Sequence, residues 1–155
     1  MSYLGTQAQS GNQTVVNINT GTGGSPTWTP VGEIGNFTQS GTQNKSEDAT
    51  NLQSQAEEFI PTILTPGKCA GVMNRVSGDA GQQAIRASFD AVPPTLVQYQ
   101  VQLPKTKTQS TKGDSYTFLA MVEEFNDIGD INPTKIIKTQ FSLKISGPIT
   151  FTQGS

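Results

Sequence analysis

Residues able to perform acid–base or nucleophilic chemistry are few in this chain. It has no histidine and a single cysteine, Cys69, which excludes histidine-based zinc sites, Cys–His dyads and Ser–His–Asp triads. Two carboxylate pairs remain, Glu57–Glu58 and Glu123–Glu124. Because adjacent residues of a strand point to opposite faces, neither pair can flank one bond as acid and base. The sequence therefore predicts that the protein is not an enzyme.

Two short segments have the composition of an ion-binding site. Residues 126–132 (NDIGDIN) are rich in oxygen ligands, but their spacing departs from the EF-hand pattern, which favours an ordinary loop. Residues 78–81 (GDAG) precede a predicted helix, whose free N–H groups could hold a phosphate. Asp79 places a carboxylate at that position, which favours a helix cap instead. No metal or cofactor is predicted.

Two polar segments could contact a polyanion. Lys105, Lys107 and Lys112 are dispersed and have no aromatic stacking partner nearby, which favours a solvated loop over a nucleic-acid site. Gln98, Gln100 and Gln102 form an uncharged face of one predicted strand. That face could be an ordinary exposed sheet surface or a surface along which a polyanion slides, and the local sequence leaves both possibilities open.

The composition indicates one domain that does not bind nucleic acid tightly. The chain has 155 residues, of which 14% are charged, and its formal net charge is −2. Tight binding to duplex DNA needs clustered Lys and Arg, which are missing. The N-terminal MSYLGTQAQSGNQT lacks the charged and apolar regions of a signal peptide. Neither secretion nor contact with a membrane is expected.

Most of the chain has the alternation of β-strands. Leu96–Leu103 shows it most clearly, and 137–145 alternate in the same way. Segments 57–64 and 69–76 flank the tetrapeptide TPGK, where Pro66 and Gly67 predict a type II turn closing a hairpin. Together, these strand patterns and one helical segment predict a mainly β fold, an antiparallel β-sandwich or barrel with one flanking α-helix at about 79–91.

The predicted helix is short and has a small-residue face. Asp79 can cap its first turn and Gln82 stands in the capping-box position. Ile85 and Phe89 share one face at helical spacing, and both are expected to pack the helix against the sandwich.

Two polar segments have no regular pattern. Residues 1–13 are expected to form a flexible N-terminal arm, followed by a single domain over 14–155. Residues 38–55 (TQSGTQNKSEDATNLQSQ) are predicted to form a long polar loop. Such a long connection within a compact domain is usually functional or disordered, so this loop is a candidate interaction element.

A family resemblance follows from the order of four segments between residues 13 and 152. TWTPVGEIGNFTQSG, ATNLQSQAEEFIPTILTPGKCAGVM, GDAGQQAIRASF and FSLKISGPITFT together resemble the major tail tube proteins of long-tailed, non-contractile bacteriophages. The resemblance implies a structural virion protein of the tail, assembled in the host cytoplasm into stacked hexameric rings. Double-stranded DNA would pass through the lumen during genome ejection. Implied partners are the subunit itself and the tape-measure, tail-tip and tail-terminator proteins.

The resemblance also suggests which surfaces meet a neighbour or the lumen, without deciding which sheet turns inward. Gln83 and Arg86 on the helix would contact another subunit. Contacts between rings are expected in the polar loop, at Gln43, Asn44, Lys45, Ser46, Glu47 and Asp48. The candidate lumen residues form two groups: Gln98, Gln100 and Gln102, and Lys138, Gln140 and Ser142.

Alternative functions differ in whether the chain assembles. Another ring-forming tail-completion or secretion-tube protein would share the fold but need not stack. A monomeric β-sandwich that binds carbohydrate or protein would need an exposed aromatic platform, for which Trp28 and Tyr99 are the obvious residues.

Overall fold

The computed structural model describes residues 8–155, apart from the side chain of Asp130. Residues 1–7 of the predicted N-terminal arm therefore lie outside the described residues. The described chain forms one helix, α1 (Ala80–Asp90), and nine strands: β1 (Val15–Asn19), β2 (Trp28–Pro30), β3 (Ile34–Ser40), β4 (Gln43–Asp48), β5 (Phe59–Thr65), β6 (Lys68–Asn74), β7 (Leu96–Gln102), β8 (Ser115–Asp130) and β9 (Lys138–Thr152).

Seven of these strands form one antiparallel sheet in the order β2-β1-β7-β8-β9-β6-β3. The long strands β8 and β9 pass through the whole sheet, and their ladder contains register shifts between Thr117 and Leu119 and between Val122 and Glu124. Such bulges bend strands, so the sheet has two facing halves. The β1–β7 half contains β2, β1, β7, residues 115–121 of β8 and residues 145–152 of β9. The β3–β6 half contains residues 122–130 of β8, residues 138–144 of β9, then β6 and β3.

The core lies between the two halves, as the predicted sandwich requires. Tyr99 of β7 is fully buried and stacks on Phe118 of β8, with ring centroids 5.9 Å apart. Burial raises the pKa of the Tyr99 hydroxyl. Leu143 and Phe141 of β9 contribute from the other half. The mainly β, antiparallel fold with one flanking helix is therefore confirmed.

Helix α1 begins where the sequence predicts. The Asp79 carboxylate accepts hydrogen bonds from Gln82 N at 3.0 Å and from Gly32 N at 3.2 Å. Ile85 is completely buried, as expected. Phe89 is only partly buried, with 36% of its surface exposed, although its ring lies 6.0 Å from that of Phe125. The expectation that Phe89 anchors the helix was too strong, because the last turn reaches the sheet margin.

Gln82 is the residue that ties the helix to the sheet. Its amide is buried, donates to Gly32 O and Asn74 O at 2.9 Å each, and accepts from Val76 N at 3.1 Å. A capping-box side chain bonds back to the N-cap residue. Gln82 instead satisfies backbone groups of the segments before β3 and after β6, and so fixes the helix at that end of the sheet.

The predicted hairpin at 57–76 is wrong, because the chain does not reverse at Pro66 and Gly67. β6 pairs with β3, and β5 pairs with β4 in a separate two-stranded sheet. The register runs on across the junction, with Ser40 opposite Lys68 and Gln43 opposite Thr65. The strands β3–β4 and β5–β6 thus form one long ribbon, which reverses at residues 49–58.

Glycines provide the bend in this ribbon. Gly41 and Gly67 have φ values of +77° and +84°, a region that L side chains rarely adopt. A Cβ on Gly67 would lie 2.7 Å from Thr42 N and closer still to the Ser40 carbonyl oxygen. TPGK is therefore a kink between two sheets, where the sequence-based interpretation placed a turn.

Two predicted loops are partly strands. Of the polar loop at 38–55, residues 38–40 belong to β3 and Gln43–Asp48 form β4. Residues 126–130 of the predicted 126–133 loop belong to β8. Both segments are polar because they are exposed, and backbone pairing with a neighbouring strand is sufficient to make them extended. No helix among the described residues is long and apolar enough to cross a membrane.

Candidate assembly surfaces

The β3–β6 half ends in two unpaired strand edges. Pairing between β7 and β8 stops at Leu96 opposite Met121, so within residues 8–155 the segment 122–130 of β8 pairs only with β9. At the other end, β3 pairs with β6 and with no other strand of that described range. These edges, seven residues in β3 and nine in β8, contain no proline. Helix α1 contacts the side chains of Phe125 and Asp127 on β8, but neither edge has a strand partner in the described part of the chain. An edge of this length without a strand partner is a template for pairing with another chain.

The edges of the β1–β7 half are protected. At one end, β2 has only three residues and finishes at Pro30. At the other, residues 145–152 of β9 extend beyond β6 and contain Gly147 and Pro148. Proline and short edge strands are the usual means by which proteins prevent sheet extension. The two halves therefore differ: pairing between copies is favoured only through β3 and the second part of β8.

Lys138, Gln140 and Ser142 lie on the outward face of the β3–β6 half. They alternate along β9 with the buried Thr139, Phe141 and Leu143. Their neighbours on that face include Glu124 and Asn126 of β8 and Ala70 and Val72 of β6. Because Ala70 and Ser142 are small, a shallow depression of about 190 Å³ crosses the four strands. The surface is polar and carries charges of both signs, with Lys68 opposite Lys144 and Glu124 opposite Ser142.

Gln98, Gln100 and Gln102 lie on the same outward face of the continuous sheet, but in its β1–β7 half. Gln98 and Gln100 accept hydrogen bonds from the side chains of Asn19 and Asn17 at 3.3 and 3.1 Å. Gln102 donates to Gly113 O at 2.8 Å. These amides therefore have partners within the chain and form a cross-strand ladder. The two candidate lumen groups lie on different halves of the molecule.

The ribbon formed by β4 and β5 projects from the sheet, and we call it the arm. Apart from their mutual pairing, its strands make few contacts with other elements of the described chain. Every residue of β4 is exposed, including the predicted contact residues Gln43–Asp48. Hydrogen bonds from Thr50 order the turn after β4 and lower the pKa of Asp48.

Strand β5 is the apolar side of the arm, and the sequence-based site prediction missed it. Phe59, Ile60, Ile63 and Leu64 are all exposed. Register places Phe59 opposite Asp48 and Ile60 opposite Glu47, so apolar side chains occur on both faces of the ribbon. The sequence signal that could have indicated this surface is the segment EEFIPTIL, whose apolar residues fall on both faces of a strand. Such a strand needs cover, and the part of the chain that the structure describes does not supply it.

The helix residues proposed for subunit contacts have different surroundings. Gln83 is exposed and adjacent to the buried Gln82. Arg86 is engaged within the chain, where its guanidinium contacts the Asp127 carboxylate and lies 3.5 Å from Asp90. Arg75 also pairs with Asp127, at 3.2 Å. Exposed ion pairs of this kind contribute little to stability.

The groups with possible chemistry do not converge. Among the described residues, no cluster of three or more His, Cys, Asp or Glu side chains could hold a metal ion. Glu57 and Glu58 lie in the arm turn, and Glu123 and Glu124 lie at a bulge of β8. Cys69 is buried, and its burial raises the thiol pKa to about 11. The features that stand out are unpaired edges and an exposed apolar strand, which are candidate assembly surfaces.

Comparison with solved structures shows which known proteins share this fold. A chain in the anti-feeding prophage (AFP) tube-terminating cap gives a TM-score of 0.73 at 8% identity, covering 99% of this chain and 97% of that chain. A chain in the tail of an empty gene transfer agent particle, refined with helical and C6 symmetry, gives 0.68 at 17% identity, with coverages of 94% and 99%. The SPP1 tail tube gives 0.66 at 12% identity, with coverages of 96% and 80%.

No family model matches the chain, and no curated protein matches it. The identities are low, so the similarity is one of fold, and it extends over nearly the whole chain. These structures are a tail, a tail tube and a tube cap. The protein therefore has the tail tube fold, as the resemblance in its sequence led us to expect.

Proposed function

We propose that this protein is a non-catalytic structural subunit that assembles into hexameric rings, and that the rings stack into the tail tube of a long-tailed, non-contractile phage. The observation that most supports this proposal is the pair of long, proline-free strand edges on one half of the sheet. The sixfold symmetry stated for the gene transfer agent tail and the AFP baseplate supports six subunits. The order of the sequence segments supports the non-contractile type.

Lateral assembly follows from the strand directions. In the β3–β6 half, β8, β9, β6 and β3 alternate in direction. Copies related by rotation in a ring have the same orientation, so the β8 edge of one copy meets the β3 edge of the next in antiparallel register. Because each copy contributes an even number of alternating strands, four, every contact between neighbouring copies around the ring is antiparallel. Closure of such a heterologous contact gives a ring and removes the exposed edges.

This arrangement favours Lys138, Gln140 and Ser142 as lumen residues. If the edge-paired strands form the inner wall, their other face is covered by the β1–β7 half, and their outward face lines the channel. Gln98, Gln100 and Gln102 then lie on the outer layer of the tube. The same outward face carries Lys68 opposite Lys144, with Glu124 nearby, so the proposed lining is a polar surface of mixed charge over which DNA would pass with weak binding. DNA transport is the proposed use of the channel.

The arm is proposed to make the contacts between rings. Its β5 residues expose apolar groups on both faces, and Gln43–Asp48 of β4 accompany them. Burial of a large aliphatic or aromatic side chain contributes about 1.5–3 kcal/mol, so covering four of them would be a strong driving force for stacking. Tape-measure, tail-tip and tail-terminator proteins would then meet the two ends of the tube in the virion tail, after assembly in the host cytoplasm.

A second candidate is a ring-forming cap or completion protein that does not stack. The TM-score of 0.73 to a chain of the AFP tube-terminating cap favours it. A monomeric binding module is less well supported, because Tyr99 is buried, which leaves the half-buried Trp28 alone of the two expected platform residues.

Negative-stain electron microscopy of the purified full chain tests these alternatives. We expect tubes with a central channel at high protein concentration. Isolated rings would indicate the cap, and a protein that stays monomeric would contradict assembly altogether.

An arm deletion tests the proposed contact between rings. The φ values of Gly41 and Gly67 are both positive, as a two-residue type I′ turn requires. Removing residues 42–66 and joining Gly41 to Gly67 should therefore close a short hairpin between β3 and β6. We expect this variant to fold and form rings without stacking into tubes. Tubes of normal length would contradict the role of the arm.

A further inference from the structure

The turn between β8 and β9 presents exposed isoleucines that the proposed function has not used. Ile128, Ile131 and Ile136 have 72%, 66% and 65% of their surfaces exposed, and Ile137 has 39%. Exposed apolar residues normally occur singly, whereas these four lie within ten residues of sequence. We call residues 128–137 the isoleucine turn.

The backbone of the isoleucine turn is held in a defined shape. The Asn132 side chain accepts hydrogen bonds from Thr134 N at 3.0 Å and from the Thr134 hydroxyl at 2.8 Å. Lys135 N donates to Asn132 O at 3.1 Å, and Arg75 N donates to Ile137 O at 3.0 Å. The isoleucines are therefore presented by an ordered turn, which lowers the entropy cost of docking them on a partner.

An apolar opening lies at the opposite end of the molecule. A cavity of about 300 Å³ separates the two halves of the sheet there, between Phe37 and Cys69 on one side and Leu103 and Phe118 on the other. It reaches the surface beside Tyr116, which is 37% exposed. An apolar cavity of about 150 Å³ accommodates benzene, so the opening has room for an isoleucine side chain.

The ladder between β8 and β9 sets the distance between these two features. It begins at Ser115 opposite Thr152, beside the opening, and finishes at Asp130 opposite Lys138, where the isoleucine turn starts. Because β8 and β9 bend at their bulges, the separation is shorter than the extended length of either strand: Cys69 of the opening lies opposite Leu143, which is six residues, or about 20 Å, from Ile137 along β9. A turn and an opening at opposite ends of one subunit cannot meet within a chain. They can meet between two copies stacked in the same orientation, which is a heterologous contact that repeats along a tube.

We propose that the isoleucine turn of one copy docks in the apolar opening of the copy stacked on it, as a contact between rings separate from the arm. This inference rests on the proposed tube assembly. It commits to a second copy of this chain as the occupant, because both surfaces belong to one chain, are apolar, and face opposite directions along the axis set by β8 and β9.

Cysteine cross-linking tests the contact directly. In the double variant Ile136→Cys, Tyr116→Cys, oxidation should give a ladder of covalent oligomers from assembled protein, and none from folded protein diluted below the concentration at which it assembles. Each single variant should give at most dimers. The native Cys69 should not take part, because it is buried and its thiol is protonated at neutral pH. If Ile136→Cys instead cross-links to Leu52→Cys at the tip of the arm, the arm occupies the turn and the proposal is overturned.

A second variant keeps the test independent of cysteine geometry. Replacing Ile128 and Ile136 by Ser should raise the protein concentration needed for tubes roughly tenfold or more while rings still form. Val92→Ser is the matched control, because Val92 is 97% exposed and lies outside the turn. Unchanged tube formation by the double Ser variant would overturn the proposal. Tubes without the Ile136–Tyr116 cross-link would refute this inference alone, whereas a wild-type chain that never assembles would refute the proposed function and the inference with it.

Discussion

At the scale of single residues, polar side chains fix the positions of the strands and the helix. Gln82 bonds three backbone groups, Asp79 bonds two, and the Gln–Asn ladder of β7 and β1 is satisfied across the strands. Buried amides are retained where they pair completely, because an unpaired polar group in a low-dielectric interior is costly.

Gln82→Ala tests this interpretation. The substitution leaves Val76 N–H and the Gly32 and Asn74 carbonyls without their partner, so we expect a loss of about 2–3 kcal/mol in the free energy of unfolding. Urea denaturation followed by circular dichroism measures it. The neighbouring Gln83 is exposed, so Gln83→Ala should change stability by no more than about 0.5 kcal/mol. Equal effects of the two substitutions would contradict the role given to Gln82.

Cys69 should make stability depend on pH at the alkaline end. Burial raises its pKa from 9.0 in the unfolded chain to about 11 in the folded one. The folded state therefore holds the thiol proton more tightly, and the resulting stabilisation is complete below about pH 9 and is lost as the pH rises through about 11. Unfolding free energies of the wild type and of Cys69→Ala, measured from pH 8 to 11, should converge as the pH rises. A constant difference would contradict this account.

At the scale of elements, the ribbon formed by β3–β4 and β5–β6 decides which segments belong to the body of the subunit and which project from it. Its first part joins the seven-stranded sheet through β6 and β9, and its second part leaves the sheet as the arm. The change occurs at Gly41 and Gly67, whose positive φ values turn both strands at the same level. The direction of the arm therefore depends on two glycines.

Gly67→Ala should disturb this kink more than a typical glycine substitution. The new methyl group would collide with Thr42 N and the Ser40 carbonyl, in addition to the strain of a positive φ. We expect a loss of about 2 kcal/mol or more in unfolding free energy, together with shorter tubes. Gly147→Ala is the control, because Gly147 has a φ of +80° but nothing within 4 Å of its Cβ position. It should lose only about 1 kcal/mol, and an equal loss would argue against the steric cause.

At the scale of the whole molecule, the two halves of the sheet differ in how their edges are protected. Pro30 and Pro148 protect the edges of the β1–β7 half, whereas the β3 and β8 edges of the other half are open. Along β3, the backbone N–H and C=O groups point alternately toward β6 and away from it, so the residues whose groups are free can be identified. Asn74 N donates to Glu33 O, so the backbone N–H and C=O groups of the even-numbered residues of β6 point toward β3. The backbone groups of their partners in β3 point toward β6. Phe37 and Gln39 then direct their N–H groups outward.

Gln39→Pro should block lateral assembly and leave the subunit folded. Proline removes the outward N–H of Gln39, which takes no part in pairing with β6, and proline is tolerated at a free edge. Gln39→Ala keeps that N–H and should assemble like the wild type. Analytical ultracentrifugation should show monomers for Gln39→Pro and rings or tubes for Gln39→Ala. Normal rings of the proline variant would contradict edge pairing through β3.

The sequence by itself determined the features that depend on near neighbours in the chain. The period of two along 96–103 and 137–145 predicted strands, and Asp79 predicted the start of the helix, because these signals are written within a few residues. The absence of histidine excluded most catalytic templates. The full sequence order also carried the resemblance to tail tube proteins.

The tertiary structure decided what depends on pairing between distant segments. TPGK reads locally as a turn, yet Gly67 packs against Ser40 and Thr42, and that contact makes it a kink. The polar segment 43–48 is a strand only because β5 pairs with it. Phe89 has the spacing of a core residue, but its position at the end of the helix leaves it partly exposed. Local sequence sets what a segment can form; the partner across the sheet determines where it lies and which surface remains for a neighbouring copy.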